Sequence, residues 1–269
     1  MKFIIGATIL VAGLFSFTYS CDKDADIIED TPEIADPPEL TEKYRIDTFT
    51  FSSNGKATNG KIFLPDSFEK NQDLPAIFLI DYVEQHFETA KDEFEKVIES
   101  VQAIEGKDAL VITLEEHRNV ESKPRGFAGY YEDFKNMASY VNGEYTSNTS
   151  RTFIGRGSEG GIVLMTMFLE ESESAYFDNF IVTDPASYFI TAVISLIEND
   201  DFPKNKGNKK LHFSFSSSNN FALCTKLVST IDEARYKWLK FEFVDYMDND
   251  YENTYPLAFA AGLKFIFEE

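Results

Sequence analysis

Arg151-Thr-Phe-Ile-Gly-Arg-Gly-Ser158-Glu-Gly-Gly161 gives the clearest indication of the fold in this 269-residue sequence. It begins as the end of an apolar strand and passes into a glycine-rich turn that contains one serine. The apolar run Ile162-Val-Leu-Met-Thr-Met-Phe-Leu169 follows at once and indicates a helix. A strand that enters a helix through so short a turn is typical of folds in which strands and helices alternate.

The same alternation continues on both sides of this stretch. Period-two and fully apolar runs predict strands, and amphipathic spacing predicts helices between them. The pattern predicts an α/β fold with one mostly parallel sheet, helices on both faces and antiparallel N-terminal strands, forming a single domain over residues 44–269. The predicted strands are residues 45–52, 61–64, 74–80, 109–114, 152–154, 179–183, 210–216 and 238–244, and the predicted helices are residues 87–104, 130–145, 162–169, 187–198, 222–236 and 256–269.

Strand, tight turn, serine and helix, in that order, form the layout of a nucleophile elbow. Such an elbow raises a serine hydroxyl above the edge of the sheet, so Ser158 is the candidate nucleophile. The backbone N–H of Glu159, with a second donor from the loop at Tyr82, would form the oxyanion hole. The pattern departs from the usual Gly-x-Ser-x-Gly in one place, because Arg156 stands where the first glycine is expected and Gly155 comes one residue too early.

Further segments stand out along the chain, namely Leu64-Pro-Asp-Ser-Phe68, Leu74-Pro-Ala-Ile-Phe-Leu-Ile-Asp81, Tyr131-Glu-Asp-Phe134, Ser158-Glu-Gly-Gly161, Thr183-Asp-Pro-Ala-Ser187 and Pro256-Leu-Ala-Phe-Ala-Ala-Gly-Leu-Lys-Phe-Ile-Phe267. In this order they resemble the esterase D-like branch of the α/β-hydrolases, from about Tyr44 to the C-terminus. The resemblance implies an α/β-hydrolase-like fold. It also implies hydrolysis of esters or thioesters, including acyl esters of siderophores and carbohydrates, and we expect no cofactor.

The resemblance further implies a catalytic triad, and two of its three positions hold other residue types. The family's histidine precedes the last helix, which places it at Tyr251, and the family's acid follows the strand that ends at Ser216, where Asn219 and Asn220 stand. Tyrosine has a pKa of about 10 and is a poor base at neutral pH. Asparagine can hold a hydrogen bond but carries no charge to stabilise an imidazolium. No histidine follows His212, so no realignment of this region supplies one.

Two earlier histidines leave a rearranged catalytic site open. His86 and His117 each follow a predicted buried strand, so both should lie at the carboxyl edge of the sheet that presents Ser158. Either could take the serine proton if it came within hydrogen-bond reach. The family likeness instead places His86 in a substrate-facing or structural loop, outside the triad. Whether the chain is an enzyme therefore stays undecided from the sequence.

The first 43 residues predict export and attachment to a membrane. Lys2 and the apolar run after it are typical of a signal peptide over residues 1–20. Cys21 follows a small residue and resembles the acylated cysteine of bacterial lipoproteins, which would anchor the chain in the outer membrane. Residues 21–43 are acidic and punctuated by prolines, which predicts a disordered tether. Acidic residues directly after the cysteine resemble the signal that sends some lipoproteins to the cell surface; otherwise the protein would face the periplasm.

Two classes of ligand are not expected, nucleic acid because of the charge of the chain and metal ions because of the sequence pattern. The formal net charge is −21, so a nucleic-acid ligand is not expected, because phosphate backbones bind basic surfaces. Asp248, Asp250 and Glu252 bring carboxylates together, but the segment lacks the glycine and the remaining pattern of a calcium loop. We therefore predict no metal site.

Three functions follow from these observations. The first is a lipid-anchored esterase-like domain that has lost hydrolysis and works by binding. The second is a serine esterase that acts through Ser158 on an acyl ester of a glycan, siderophore or lipid. The third is an accessory subunit that joins an outer-membrane protein partner. Loss of triad residues costs roughly a thousandfold to a millionfold in rate, which favours binding or accessory work.

Overall fold

The computed structural model describes residues 44–80, 93–114, 127–171, 173–204, 207–216 and 220–268. Strands and helices alternate along these ranges, as the sequence pattern predicts. The strands are β1 (Ile46–Ser53), β2 (Lys56–Phe63), β3 (Ala76–Leu79), β4 (Leu110–Leu114), β5 (Arg151–Arg156), β6 (Asn179–Thr183), β7 (Lys209–Ser216) and β8 (Leu239–Tyr246). The helices are α1 (Glu93–Gln102), α2 (Phe127–Glu144), α3 (Gly157–Leu169), α4 (Ser187–Glu198), α5 (Phe221–Ala234) and α6 (Tyr251–Phe267).

The eight described strands form one sheet in the order β1-β2-β4-β3-β5-β6-β7-β8. β2 runs antiparallel to both of its neighbours, β1 and β4. Every other neighbouring pair is parallel. The predicted fold class is confirmed, including the antiparallel strands at the N-terminal edge.

Helices cover both faces of the sheet. α1 and α6 pack on one face, around inward side chains such as Ile77 and Ile181. The helices from α2 to α5 pack on the opposite face, around Phe78 and Phe153. Because β3, β4 and β6 are covered on both faces, every residue of these strands is buried, whereas the edge strand β1 buries only every second residue along its C-terminal half.

The last helix begins five residues earlier than the sequence predicts. α6 starts at Tyr251 rather than at Pro256, because Asp250 caps it. The Asp250 side chain accepts a hydrogen bond from the backbone N–H of Asn253 at 2.8 Å, which satisfies one of the donors that a helix start leaves unpaired. Pro256 is accommodated within the helix.

The helix after the elbow also begins earlier than predicted, at the first residue of the glycine-rich turn. Glycine has low helix propensity, so the sequence does not predict a helix over residues 157–161. Packing requires glycine at this point: a Cβ on Gly161 would lie 2.1 Å from Cδ2 of Phe189. The close contact between α3 and α4 therefore outweighs the local preference.

The described residues belong to one compact unit, Glu42–Glu269. Cys224 in α5 is fully buried and forms no disulfide with any described residue. Of the helices that the structure describes, none combines the length and the apolar content that crossing a membrane requires.

Candidate functional site

The turn from β5 into α3 has its apex at Gly157, whose backbone φ of +58° lies in the left-handed region. The chain doubles back closely there. A Cβ on Gly155 would lie 2.8 Å from the carbonyl carbon of Glu159, and one on Gly160 would lie 2.9 Å from the carbonyl oxygen of Gly155. A sharp turn from strand to helix is the backbone shape of a nucleophile elbow.

Ser158 lies one residue beyond this apex, in the first turn of α3. Its side chain is half-buried, and its backbone is not among the residues with positive φ. In a nucleophile elbow the residue at the strained apex carries the nucleophile, because that position projects its side chain above the sheet edge. In this chain the apex residue is Gly157, which has no side chain. The sequence motif places the elbow at Ser158, and the positive φ of the turn lies one residue earlier, at Gly157.

Tyr251 lies directly in front of the apex. A Cβ on Gly157 would point at the Tyr251 hydroxyl oxygen and lie 2.5 Å from it. The first residue of α6 is thus brought to the elbow from 94 residues further along the chain. Tyr251 is the residue that the family resemblance places at the histidine position, and it faces the position from which a nucleophile would project.

Arg156, the last residue of β5, forms a buried cluster beside the elbow. Its guanidinium Nε donates a short hydrogen bond to Oε1 of Glu93, and both side chains are almost completely buried. A second guanidinium nitrogen lies 3.3 Å from Oε2 of Glu252. The guanidinium carbon stands 4.8 Å from the ring centre of Tyr251 and 4.3 Å from that of Tyr255, which are cation–π distances.

These contacts keep the arginine charged inside the protein. Burial alone would lower the pKa of Arg156, but the Glu93 carboxylate and the other nearby groups hold that pKa above its ordinary value. In the sequence, Arg156 stands out only as a departure from the first glycine of Gly-x-Ser-x-Gly. Nothing in the local sequence points to Glu93, which lies 63 residues away in α1. The structure makes this arginine the centre of an ionic and aromatic cluster.

A buried carboxylate, Asp184, lies at the carboxyl end of β6, next to the elbow. The backbone N–H and the hydroxyl of Ser216 donate to its Oδ1 at 2.8 and 3.0 Å. Burial raises the pKa of Asp184 to about 6, although the hydrogen bonds from Ser216 oppose this. The backbone N–H of Ala186 donates to the carbonyl of Gly157 at 2.9 Å, which ties the segment after β6 to the apex. The sequence points to the segment around Asp184 only through the family resemblance.

The predicted acid position is described only at Asn220, since Asn219 lies outside the described residues. Asn220 has a left-handed backbone with φ of 52° at the start of α5. Its side-chain amide donates to the carbonyl of Pro185 at 3.4 Å. It therefore links α5 to the segment after β6.

The histidines do not supply a base among the described residues. His86, His117 and the oxyanion donor at Tyr82 lie outside the described residues. His212 is fully buried in β7, where its Nε2 lies 3.7 Å from Oε1 of Glu242, and burial lowers its pKa to about 4. Glu159, the other predicted oxyanion donor, follows Ser158 in the first turn of α3 and has a buried side chain.

Two acidic residues at the start of α6 make contacts that hold the fold together. Asp250 caps the helix, and Glu252 contacts Arg156. Within the described ranges, no group of three histidine, cysteine or acidic side chains is placed to hold a metal ion.

The chain shares its fold with several solved structures, two of which are described as hydrolases. An IroE-like serine hydrolase from Shewanella oneidensis superposes with a TM-score of 0.68 at 13% identity, over 83% of this chain and 80% of that chain. The BES protein from Bacillus cereus gives 0.62 at 14% identity, over 86% and 97%. The siderophore hydrolase EstA from Aspergillus nidulans gives 0.60 at 12% identity, over 86% and 97%.

No protein-family model and no curated protein matches the sequence. At identities this low the structural likeness shows the fold alone. It confirms the predicted resemblance at that level: the chain has the α/β-hydrolase fold found in esterases, with the elbow at the end of β5.

Proposed function

We propose that this esterase-like α/β-hydrolase domain has lost ester hydrolysis at its elbow and works by binding, as an accessory protein held at a membrane. The observation that carries the proposal is the glycine at the apex of the elbow, which faces Tyr251. A serine hydrolase needs a hydroxyl at the apex and a base within hydrogen-bond reach of it. Here the apex has no side chain, and the group opposite it is a phenol.

Ser158 does not replace the missing nucleophile in this proposal. Its hydroxyl has no hydrogen-bond partner among the residues that the structure describes, so none of these residues orients or activates it. An unactivated serine is a weak nucleophile at neutral pH. The buried carboxylate of Asp184 is engaged by Ser216 and does not stand in for a histidine.

The Arg156 cluster supports the same conclusion. Its guanidinium is stacked on Tyr251 and Tyr255 and paired with Glu93 and Glu252, which fixes the start of α6 against the end of β5. A general base must move a proton during the reaction. An arginine cannot do so, because its guanidinium stays protonated throughout the pH range in which proteins work.

The test of this proposal is active-site labelling. We expect the purified chain to form no covalent adduct with a fluorophosphonate probe in intact mass spectrometry, because the apex carries no hydroxyl. A Ser158→Ala variant serves as the control. An adduct on the parent that disappears in this variant would mean that Ser158 is activated, and ester hydrolysis through Ser158, with His86 or His117 as base, would replace the proposal.

The attachment to a membrane rests on the sequence of residues 1–43, which lie outside the described residues. We propose that Cys21 carries acyl chains that hold the domain at the outer membrane, on the cell surface or facing the periplasm, where it joins an outer-membrane protein partner. Cys21→Ala is expected to abolish incorporation of radiolabelled palmitate in a Gram-negative host and to release the protein from the membrane fraction. Unchanged incorporation and fractionation would contradict the anchor.

A further inference from the structure

A second concave site lies at the amino ends of β6, β7 and β8, at the opposite end of these strands from the elbow. It is a depression of about 360 Å³. Four of its eight lining residues are lysines and none is acidic, although the chain has 46 acidic against 25 basic residues. The lining residues are Asn179, Asn208, Lys209, Lys210, Lys237, Trp238, Leu239 and Lys240.

The strand register places two of these lysines side by side. Lys210 of β7 is the direct neighbour of Lys240 of β8, so both side chains leave the sheet on the same face. Like charges that face each other across neighbouring strands are destabilising. Lys237 adds a third positive charge at the rim, and neither Lys237 nor Lys240 has a carboxylate within 4.0 Å among the described residues.

The end of α6 contacts two of these lysines. The Lys210 ammonium donates to the carbonyl of Ile266 at 2.9 Å and to that of Glu268 at 3.5 Å, and the Lys240 ammonium lies 5.0 Å from the ring centre of Phe265. Because Lys210 is engaged by the end of α6, the positive charge that the depression offers comes from Lys237 and Lys240.

Lys209 adds no positive charge to the depression, in contrast to Lys237 and Lys240. Its side chain is buried, and its ammonium lies 3.2 Å from Oε2 of Glu170 and donates to the carbonyl of Phe177 at 2.8 Å. Its charge is thus neutralised inside the protein. Lys209 lines the depression without offering it a free charge.

Trp238 gives the depression a flat apolar wall. It is half-buried, and its ring stacks on Tyr236 with centroids 5.0 Å apart and planes 27° from parallel. A cavity of this size falls within the range of small-molecule sites, which combine an apolar wall with a few polar groups. Lysine ammonium groups bind phosphate as point charges.

We propose that this depression binds a small phosphorylated molecule, with its phosphate held by Lys237 and Lys240 and its organic part against Trp238. The phosphate could belong to a free metabolite or to a lipid head group. The site is separate from the elbow and stands whether or not the elbow is catalytic.

Trp238 is the only tryptophan of the chain, so its fluorescence reports this site alone. We expect glucose 6-phosphate, added to the full chain, to change that fluorescence saturably and to release or absorb heat in calorimetry, while glucose does neither. Vesicles of phosphatidylcholine with and without phosphatidic acid test the lipid source. A response to the phosphatidic acid vesicles in place of the free sugar phosphate would assign the head group as ligand.

Lys237→Gln combined with Lys240→Gln is expected to weaken the binding at least tenfold. The matched control is Lys56→Gln with Lys70→Gln, which changes the net charge equally at two exposed lysines away from the depression and should bind as the parent does. The proposal is overturned if neither phosphate probe binds saturably, or if the Lys237/Lys240 variant binds as tightly as the control variant.

Discussion

Arg156→Ala is expected to lower the free energy of unfolding by about 3–5 kcal/mol, the cost of removing one partner of a buried ion pair. The Glu93 carboxylate is fully buried and has the Arg156 guanidinium as a close partner. Removing the arginine takes this cationic partner away from a buried carboxylate, and also removes the stacking on Tyr251 and Tyr255. Urea denaturation, monitored by circular dichroism, measures the loss.

Two companion variants show that the effect belongs to the buried pair. Arg45→Ala removes an arginine whose ion pair with Glu69 is exposed, and it should change stability little because exposed pairs contribute little. Arg156→Met with Glu93→Gln should recover much of the loss, because the buried carboxylate charge is removed with its partner. A loss for Arg156→Ala no larger than that for Arg45→Ala would contradict the structural role of the cluster.

Gly157→Ser combined with Tyr251→His, in a Ser158→Ala background, is expected to make the chain react covalently with a fluorophosphonate probe. The apex position projects its Cβ toward the hydroxyl of Tyr251, so a serine there would face a histidine placed at 251. Histidine is shorter than tyrosine, which leaves room for the serine hydroxyl. The reaction should be slow, because a triad without its acid loses about 10⁴-fold in rate.

The single substitutions are the controls for this gain of reactivity. Gly157→Ser alone presents a hydroxyl without a base, and Tyr251→His alone presents a base without a hydroxyl, so neither should form an adduct in the Ser158→Ala background. Peptide mapping should place the adduct of the combined variant at position 157. A folded combined variant that stays unlabelled would mean that the apex does not correspond to the nucleophile position.

The architecture could be predicted from the sequence because it depends on local patterns. Apolar runs such as residues 74–80 and 109–114 predict buried parallel strands, and both are strands in the sheet. The predicted start of α6 is wrong because a proline favours the first turn of a helix, and the sequence has one at Pro256. The residue that caps the helix is Asp250, six residues earlier. Boundaries of this kind depend on one side-chain hydrogen bond.

The positive φ of the elbow lies one residue before Ser158, and the sequence does not show this for a different reason. A search for Gly-x-Ser-x-Gly selects Ser158, but the position of the apex is set by the backbone, which takes its positive φ at Gly157. Glycine adopts this conformation without strain, and the turn contains several glycines. The sequence therefore does not show which of them takes the positive φ at the apex. The contact of Arg156 with Glu93 joins residues 63 positions apart and has no local signal either.

Covalent labelling of the parent chain is the direct test of whether the elbow has lost its nucleophile. The purified protein is incubated with a fluorophosphonate probe beside its Ser158→Ala variant, and both are read by intact mass after circular dichroism has shown that they are folded. We expect no adduct on either protein, because the apex of the elbow is Gly157 and no described residue activates Ser158. One adduct per parent chain, absent from Ser158→Ala, would contradict the claim and would make this protein a serine esterase.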